Sequence, residues 1–396
     1  MNELTSLGII LLLALAAGHI VKWLRIPEVT GYLLAGIALG PAALGWVSTD
    51  NLTALEVLSE VALGLILFSI GTVFELDLFR RMGGQLFRVV ACEALLTMAI
   101  VFCGLLAIGQ PWTIAAILGA MAMETAAAST LMVLREYNAR GPMTDLLTGV
   151  FAVDNLVAMI TFSVVVTVIR LRAGTESGFG SLFPLVWQIV GSAAVGYVIG
   201  FLLSLWSPKV VEHGEQLILL AGCVLLGVGV SKALGLSSMV TNLAIGATLV
   251  NLSEHSRRLF NSLSQTDPPL YAIFFVLAGA ELDLRLVTSI GAAGGVYVLG
   301  RLSGKFAGTT IGTRWGKVDP QVGSYVRWAM FAQAGLAVGL TLTLGRRLPD
   351  IAPAVTAIVL SAVILFEIIG PVAVRWALLR SGETEPDRDL SPGLLE

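Results

Sequence analysis

Asp154 lies inside the apolar stretch GVFAVDNLVAMITF. The run around it is roughly 25 residues, long enough to cross a bilayer. An ionisable group at that depth is expensive and marks a functional site by default. A carboxylate there can hold a proton or a metal cation, and a group that holds either in turn can exchange one for the other. Asn155 follows, offering a carbonyl ligand or a backbone bond. Successive helical residues point about 100° apart, so the two side chains need not face one cavity. Glu124 is a second deep acid, in the patch Glu124-Thr125-Ala-Ala-Ala-Ser129-Thr130. It reads either as a second titratable group or as a partner for Arg301. Thr125, Ser129 and nearby backbone carbonyls could complete an oxygen shell around a hard cation bound at Asp154.

Two bases sit in VLGRLSGKFAG: Arg301 and Lys305, four apart and therefore on one helix face. An intramembrane base needs an acid or a carbonyl partner. Arg301 is expected to balance Asp154 or Glu124 when no cation is bound. Lys305 is a further candidate for that role, with a snorkelling base near a helix end as the alternative. Glu93 reads as lying near a membrane end, and Glu367, in ILFEIIGP, as a structural feature before Gly-Pro.

The elements that must hold these groups are helices. The chain has 396 residues, 56% hydrophobic and 13% charged, with a mean hydropathy of +0.87. Only helices or closed barrels satisfy their backbone in lipid, and the apolar runs are continuous rather than alternating. The fold class is an all-α polytopic membrane protein. Cutting at polar and Pro/Gly breaks gives about thirteen segments, at 4–24, 28–46, 56–76, 86–108, 112–136, 143–170, 183–206, 214–233, 237–252, 259–281, 286–312, 321–345 and 351–379. The first run lacks a basic leader and a cleavage site, so it reads as a membrane helix. The polar tail 381–396 reads as disordered. With the N-terminus outside, fifteen Lys and Arg fall on one side, and six (Arg170, Arg172, Lys232, Arg285, Arg346, Arg347) on the other. The first side is then cytoplasmic, and so is the C-terminus.

The chain also repeats itself. LSEVALGLILFSIGTVFELDL from Leu58 is echoed by LSQTDPPLYAIFFVLAGAELDL from Leu263, and VTGYLLAGIALG from Val29 by VTNLAIGATLV from Val240. Seven segments separate equivalents, so the copies have opposite orientations, the inverted repeat of many secondary transporters. Such transporters place their site near the midplane beside interrupted helices. The fifth segment of each half carries a helix-breaking patch: the one at Glu124, and Ala332-Gln333-Ala334-Gly335. Gln333 and Gly335 thereby enter the candidate site.

Other chemistries find little support. Cys92, Cys103 and Cys223 lack ligand or disulfide spacing, and His19, His213 and His255 share no metal spacing. Gly227-Val-Gly229 lies in a membrane span with no strand before it, so it is a packing feature and not a nucleotide fingerprint. Neither a nucleophile-base set nor a basic aromatic surface stands out, so an enzyme and a nucleic-acid binder are disfavoured.

The segments IPEVTGYLLAGIALGP (from Ile26), LILFSIGTVFELDL (from Leu65), FFVLAGAELDL (from Phe274), GRLSGK (from Gly300) and FAQAGLAVGLTL (from Phe331) resemble the monovalent cation/proton antiporter superfamily, in its bacterial sodium/proton or potassium/proton exchanger branch. The resemblance covers nearly all of 5–380. It implies two crossed interrupted helices, here 112–136 and 321–345, and a homodimer in the cytoplasmic (inner) membrane. It implies a dimerisation part (about 4–76 and 214–281), a mobile core (about 86–170 and 286–379) and a linker helix (about 183–206). It implies no cofactor, with Na⁺ or K⁺ and H⁺ as transported ions. The family's two-residue site matches Asp154-Asn155, and its basic-x-x-Gly pattern matches Arg301 to Gly304. The family's essential acid is usually second of its pair, so the register is either Asp154-Asn155 or Val153-Asp154; Asp154 is the proton carrier in both, because Asn cannot exchange a proton. Glu124 could restore a second carboxylate. The expected activity is electroneutral cation/proton antiport. The alternatives are a proton- or sodium-coupled organic-anion carrier using Arg301, and a transport-inactive sensor on the same scaffold.

Overall fold

The computed structural model describes residues 3–384 apart from 25, 42, 72, 73, 75, 174–185, 265, 266, 282–290 and 334. Glu75 of the first Glu-Leu-Asp-Leu motif, most of the second motif, Arg25, Arg285 and the tail from 385 lie outside the described residues. The described elements are helical: α1 (Glu3–Trp23), α2 (Glu28–Leu39), α3 (Thr49–Gly71), α4 (Leu76–Ala107), α5 (Trp112–Ala122), α6 (Ala127–Glu136), α7 (Pro142–Arg172), α8 (Ser192–Trp206, entered through a π-helical turn at Trp187–Gly191), α9 (His213–Leu234), α10 (Ser238–Leu252), α11 (Ser256–Ser264), α12 (Asp267–Ala280), α13 (Gly291–Trp315), α14 (Pro320–Val326), α15 (Gly335–Arg347) and α16 (Ala352–Ser381). Among the described residues, eight helical spans, the interrupted α5–α6 counted as one, are long and apolar enough to cross a membrane, and four apolar helices are shorter.

Several boundaries differ from the sequence reading for local reasons. The segment expected over 28–46 stops at Leu39, because Pro41 disfavours a helical residue before it. The segment expected over 259–281 divides into α11 and α12, with Pro268 and Pro269 in the first turn of α12, where proline costs no hydrogen bond. The segment expected to begin at 86 starts at Leu76 and kinks at Gly83, whose φ is 40°. The tail does not leave the fold at Ser381. The Glu383 carboxylate accepts from Met143 N (2.6 Å) and Thr144 N (2.8 Å), satisfying orphan donors at the start of α7.

The two halves trade partners. The repeated segments correspond to α2 with α10 and α3 with α12. In the fold α2 packs on α12, and α3 on α10, as an inverted repeat about an in-plane axis requires. Likewise α7 packs on α14, and α16 on α5. The equivalent helices α4 and α13 pack directly on each other. Their seam is made by Gly300, Gly304, Gly308 and Gly312, one turn apart along α13. A Cβ on Gly304 would stand 2.5 Å from Thr97 Cα, one on Gly308 2.6 Å from Glu93 Cα, and one on Gly312 2.7 Å from Val89 Cα. Small residues at that spacing let two backbones touch, and the touching places α13's bases at a fixed depth and rotation.

Candidate ion-binding site

Both expected interruptions are present. The first broken helix stops at Ala122 and restarts at Ala127; the second stops at Val326 and restarts at Gly335. The breaks cross, and Ala126 N donates to Ala332 O at 3.0 Å. A helix end leaves carbonyls without intrahelical partners and carries partial negative charge. Here α13 supplies the compensation. Arg301 donates from Nη1 to Phe331 O (2.6 Å) and from Nη2 to Glu124 O (2.6 Å) and Ala332 O (2.9 Å). Its guanidinium lies over the Phe366 ring, 4.4 Å from the centroid. Gln333 Nε2 donates to Met121 O (3.0 Å) and to the Tyr297 hydroxyl (2.8 Å).

Lys305, one turn further along α13, reaches the first break. Its Nζ donates to Met123 O, to Thr125 Oγ1 at 2.7 Å and to Asp154 Oδ2 at 3.1 Å. Thr125 in turn donates to the same Oδ2 at 2.5 Å. Asp154 and Lys305 are both 0% exposed. Lys305 also ion-pairs with Glu93, another 0% exposed acid. Among the described residues, the buried Asp154 Oδ1 has no hydrogen-bond partner.

The structure therefore brings together Asp154, Thr125 and Lys305, and redistributes the rest. The base on Asp154 is Lys305, while Arg301 serves the carbonyls of both breaks. Lys305 does not snorkel. Ser129 donates to Glu367 (3.1 Å), which is a buried acid of α16. Glu93, expected near a membrane end, is fully buried in the α4–α13 seam. Glu124 and Asn155 line a small cavity of about 70 Å³ beside the broken helix, walled by α3, α10 and α12 residues including Leu67, Leu243 and Phe274. Asp154 and Asn155 thus face different surroundings, as their helical spacing demands. Gly335 begins α15. One signal for Lys305 was readable: the basic-x-x-Gly spacing of Arg301 to Gly304 recurs at Lys305 to Gly308. For Glu93, sequence gave only its apolar surroundings.

Crossed broken helices around a buried acid-base pair, inside an inverted repeat, define a secondary transporter. The chain belongs to the sodium/hydrogen exchanger transmembrane family, whose model matches residues 8–380. It is similar to an ammonium/H⁺ antiporter subunit, AmhT, of Alkalihalophilus pseudofirmus, at 24% identity over 322 residues, 78% of this chain and 80% of that one. Its fold is similar to the sodium/proton antiporter MjNhaP1 of Methanocaldococcus jannaschii at pH 8 (TM-score 0.70, 18% identity, 96% of this chain and 95% of that one). It is also similar to MjNhaP1 in an electron-microscopy map (TM-score 0.78, 19% identity, 97% and 98% covered). The protein is a multi-pass membrane cation/proton antiporter by family and not an enzyme.

Proposed function

We propose that this protein exchanges Na⁺ or K⁺ for H⁺, one for one, with Asp154 as the shared ligand. The observation that supports the reading is the Asp154 carboxylate: fully buried, with Oδ2 held by Thr125 and Lys305 and with Oδ1 unpaired among the described residues. Two buried carboxylates, Asp154 and Glu93, share the single Lys305 ammonium, so Asp154 is driven to take up a further positive charge. A proton and a monovalent cation each supply one unit, so each excludes the other. Because both bring the carboxylate to the same net charge, exchange is electroneutral. Thr125 and the carbonyl of Met123 add oxygen to the same spot, as a hard cation requires.

The cavity at Glu124 and Asn155 is the access path, lying between the broken helix and α3, α10 and α12. The core (86–170 and 286–379) moves against a dimeric scaffold (4–76 and 214–281), with 183–206 as the linking helix. The protein sits in the inner membrane with its N-terminus outside and its C-terminus inside. Arg301's bonds to three carbonyls favour cations over an organic anion, since that rival needs the guanidinium for its substrate.

The test uses proteoliposomes with an imposed pH gradient and a trapped pH-sensitive dye. Na⁺, K⁺, Li⁺ and NH₄⁺ are added in turn to wild type and to Asp154→Asn. Cation-dependent dequenching is expected in wild type and not in the variant, at a rate that a potassium-valinomycin potential leaves unchanged. Full-rate exchange by Asp154→Asn would refute the assignment. No response to any cation would return weight to the anion carrier or the sensor.

A further inference from the structure

Glu93 is a buried acid that carries neither ion in the exchange described above. It stands on α4 with its Cα against Gly308 of α13, inside a seam too tight for a side chain at that glycine. Among the described residues its ion pair is with Lys305, through Oε1. A fully buried charge without compensation costs several kcal/mol. The Lys305 ammonium therefore stands between two sealed carboxylates, Glu93 on α4 and Asp154 on α7, with Thr125 Oγ1 and Met123 O completing its contacts.

An ammonium that binds Asp154 is a resident competitor of the transported cation, because both seek the same oxygen. With Asp154 as its only acidic partner, every arriving cation would leave Lys305 as an unpaired charge in a dry interior. The second carboxylate removes that penalty. We infer that Glu93 is a positioning residue that holds the Lys305 ammonium while the transported cation occupies Asp154. The inference rests on the assignment of Asp154 as the exchange site. When the cation arrives, the Lys305 Nζ to Asp154 Oδ2 contact breaks and a cation-carboxylate contact forms. Lys305 keeps its ion pair with Glu93, its bond to Met123 O and all its protons. The one proton exchanged is the one carried by Asp154. Arg301, the other base of α13, stays with its carbonyls throughout.

The experiment measures apparent affinity for Na⁺ and for K⁺ in two ways on the full-length protein: from KM in proteoliposomes, and from thermostabilisation in detergent by increasing cation, which needs no turnover. The variants are Glu93→Gln, Glu93→Asp, Lys305→Gln and the Glu93→Gln/Lys305→Gln pair. Losing a charge-assisted partner sets the scale, so Glu93→Gln is expected to weaken cation affinity about tenfold or more, with a larger effect on KM than on maximal rate. Glu93→Asp, which keeps the charge, is expected to recover most of the loss. In the Lys305→Gln background the Glu93→Gln change is expected to lose its effect, because no ammonium remains to compete. An equal shift with and without Lys305, or no shift with Lys305 present, would overturn the inference. If Glu93→Gln alone does not fold, Glu93→Ala, which also removes the charge, measured with and without Lys305 decides by the same criterion. Asp154→Asn runs in parallel. Exchange surviving there refutes the Asp154 reading itself, whereas loss there with silent Glu93 variants refutes only the role of Glu93.

Discussion

Thr125 has two jobs at one oxygen: it donates to Asp154 Oδ2 and accepts from Lys305 Nζ. Thr125→Val keeps the shape and removes both bonds. Bonds to charged groups contribute about 1.5–3 kcal/mol, so cation KM is expected to rise about tenfold or more, with Thr125→Ser restoring most of it. An unchanged KM for the valine variant would separate Thr125 from the site. Ser129 gives the contrasting case. Its hydroxyl goes to Glu367 and not to Asp154, so Ser129→Ala is expected to lower thermal stability by about 1 kcal/mol while leaving cation KM nearly unchanged. A KM shift as large as that of Thr125→Val would restore Ser129 to the ion's ligand shell. Both residues were candidates on the same footing in sequence, since a hydroxyl's partner depends on which helix crosses the break.

At the scale of elements, the α4–α13 seam sets where the bases stand. Gly308→Val would drive a side chain into the Glu93 backbone. Overpacking of this kind costs about 1–3 kcal/mol or more, so a clear drop in melting temperature in detergent is expected. Gly295, on the same helix, meets nothing within 4 Å of an added Cβ, and Gly295→Ala is expected to be neutral or slightly stabilising. Equal melting temperatures for the two variants would show that the seam is not tight. The Glu383 cap on α7 belongs to the same scale. Glu383→Ala removes the acceptor of Met143 N and Thr144 N and is expected to cost about 1 kcal/mol, read as a lowered melting temperature.

At the scale of the molecule, alternating access requires the broken helices to move against their neighbours. In the proposed mechanism the cavity at Glu124 and Asn155 lies on that boundary, with Leu67 on one wall and Ala127 on the other. With Cys92, Cys103 and Cys223 replaced, a Leu67→Cys/Ala127→Cys protein treated with a short bifunctional thiosulfonate is expected to lose exchange, and reduction is expected to restore it. Exchange that continues under complete cross-linking would place the moving boundary elsewhere in the fold.

Much of this is legible in the sequence. Membrane helices are local features, because lipid forces each apolar segment to satisfy its own backbone. The inverted repeat is a comparison of the chain with itself. The helix breaks announced themselves as polar and small residues where apolar ones belong, at Glu124 to Thr130 and at Ala332 to Gly335. Asp154 was conspicuous because acids are rare at such depth. The sequence could not decide which base meets which acid. Arg301 and Lys305 share a helix face and differ by one turn, about 5.4 Å. That turn separates the carbonyl ends of both breaks from the Asp154 carboxylate. Only the glycine seam with α4, formed between segments some two hundred residues apart, settles the depth at which each base stands. The same seam turns Glu93 from one acid in an apolar helix into the second carboxylate at Lys305.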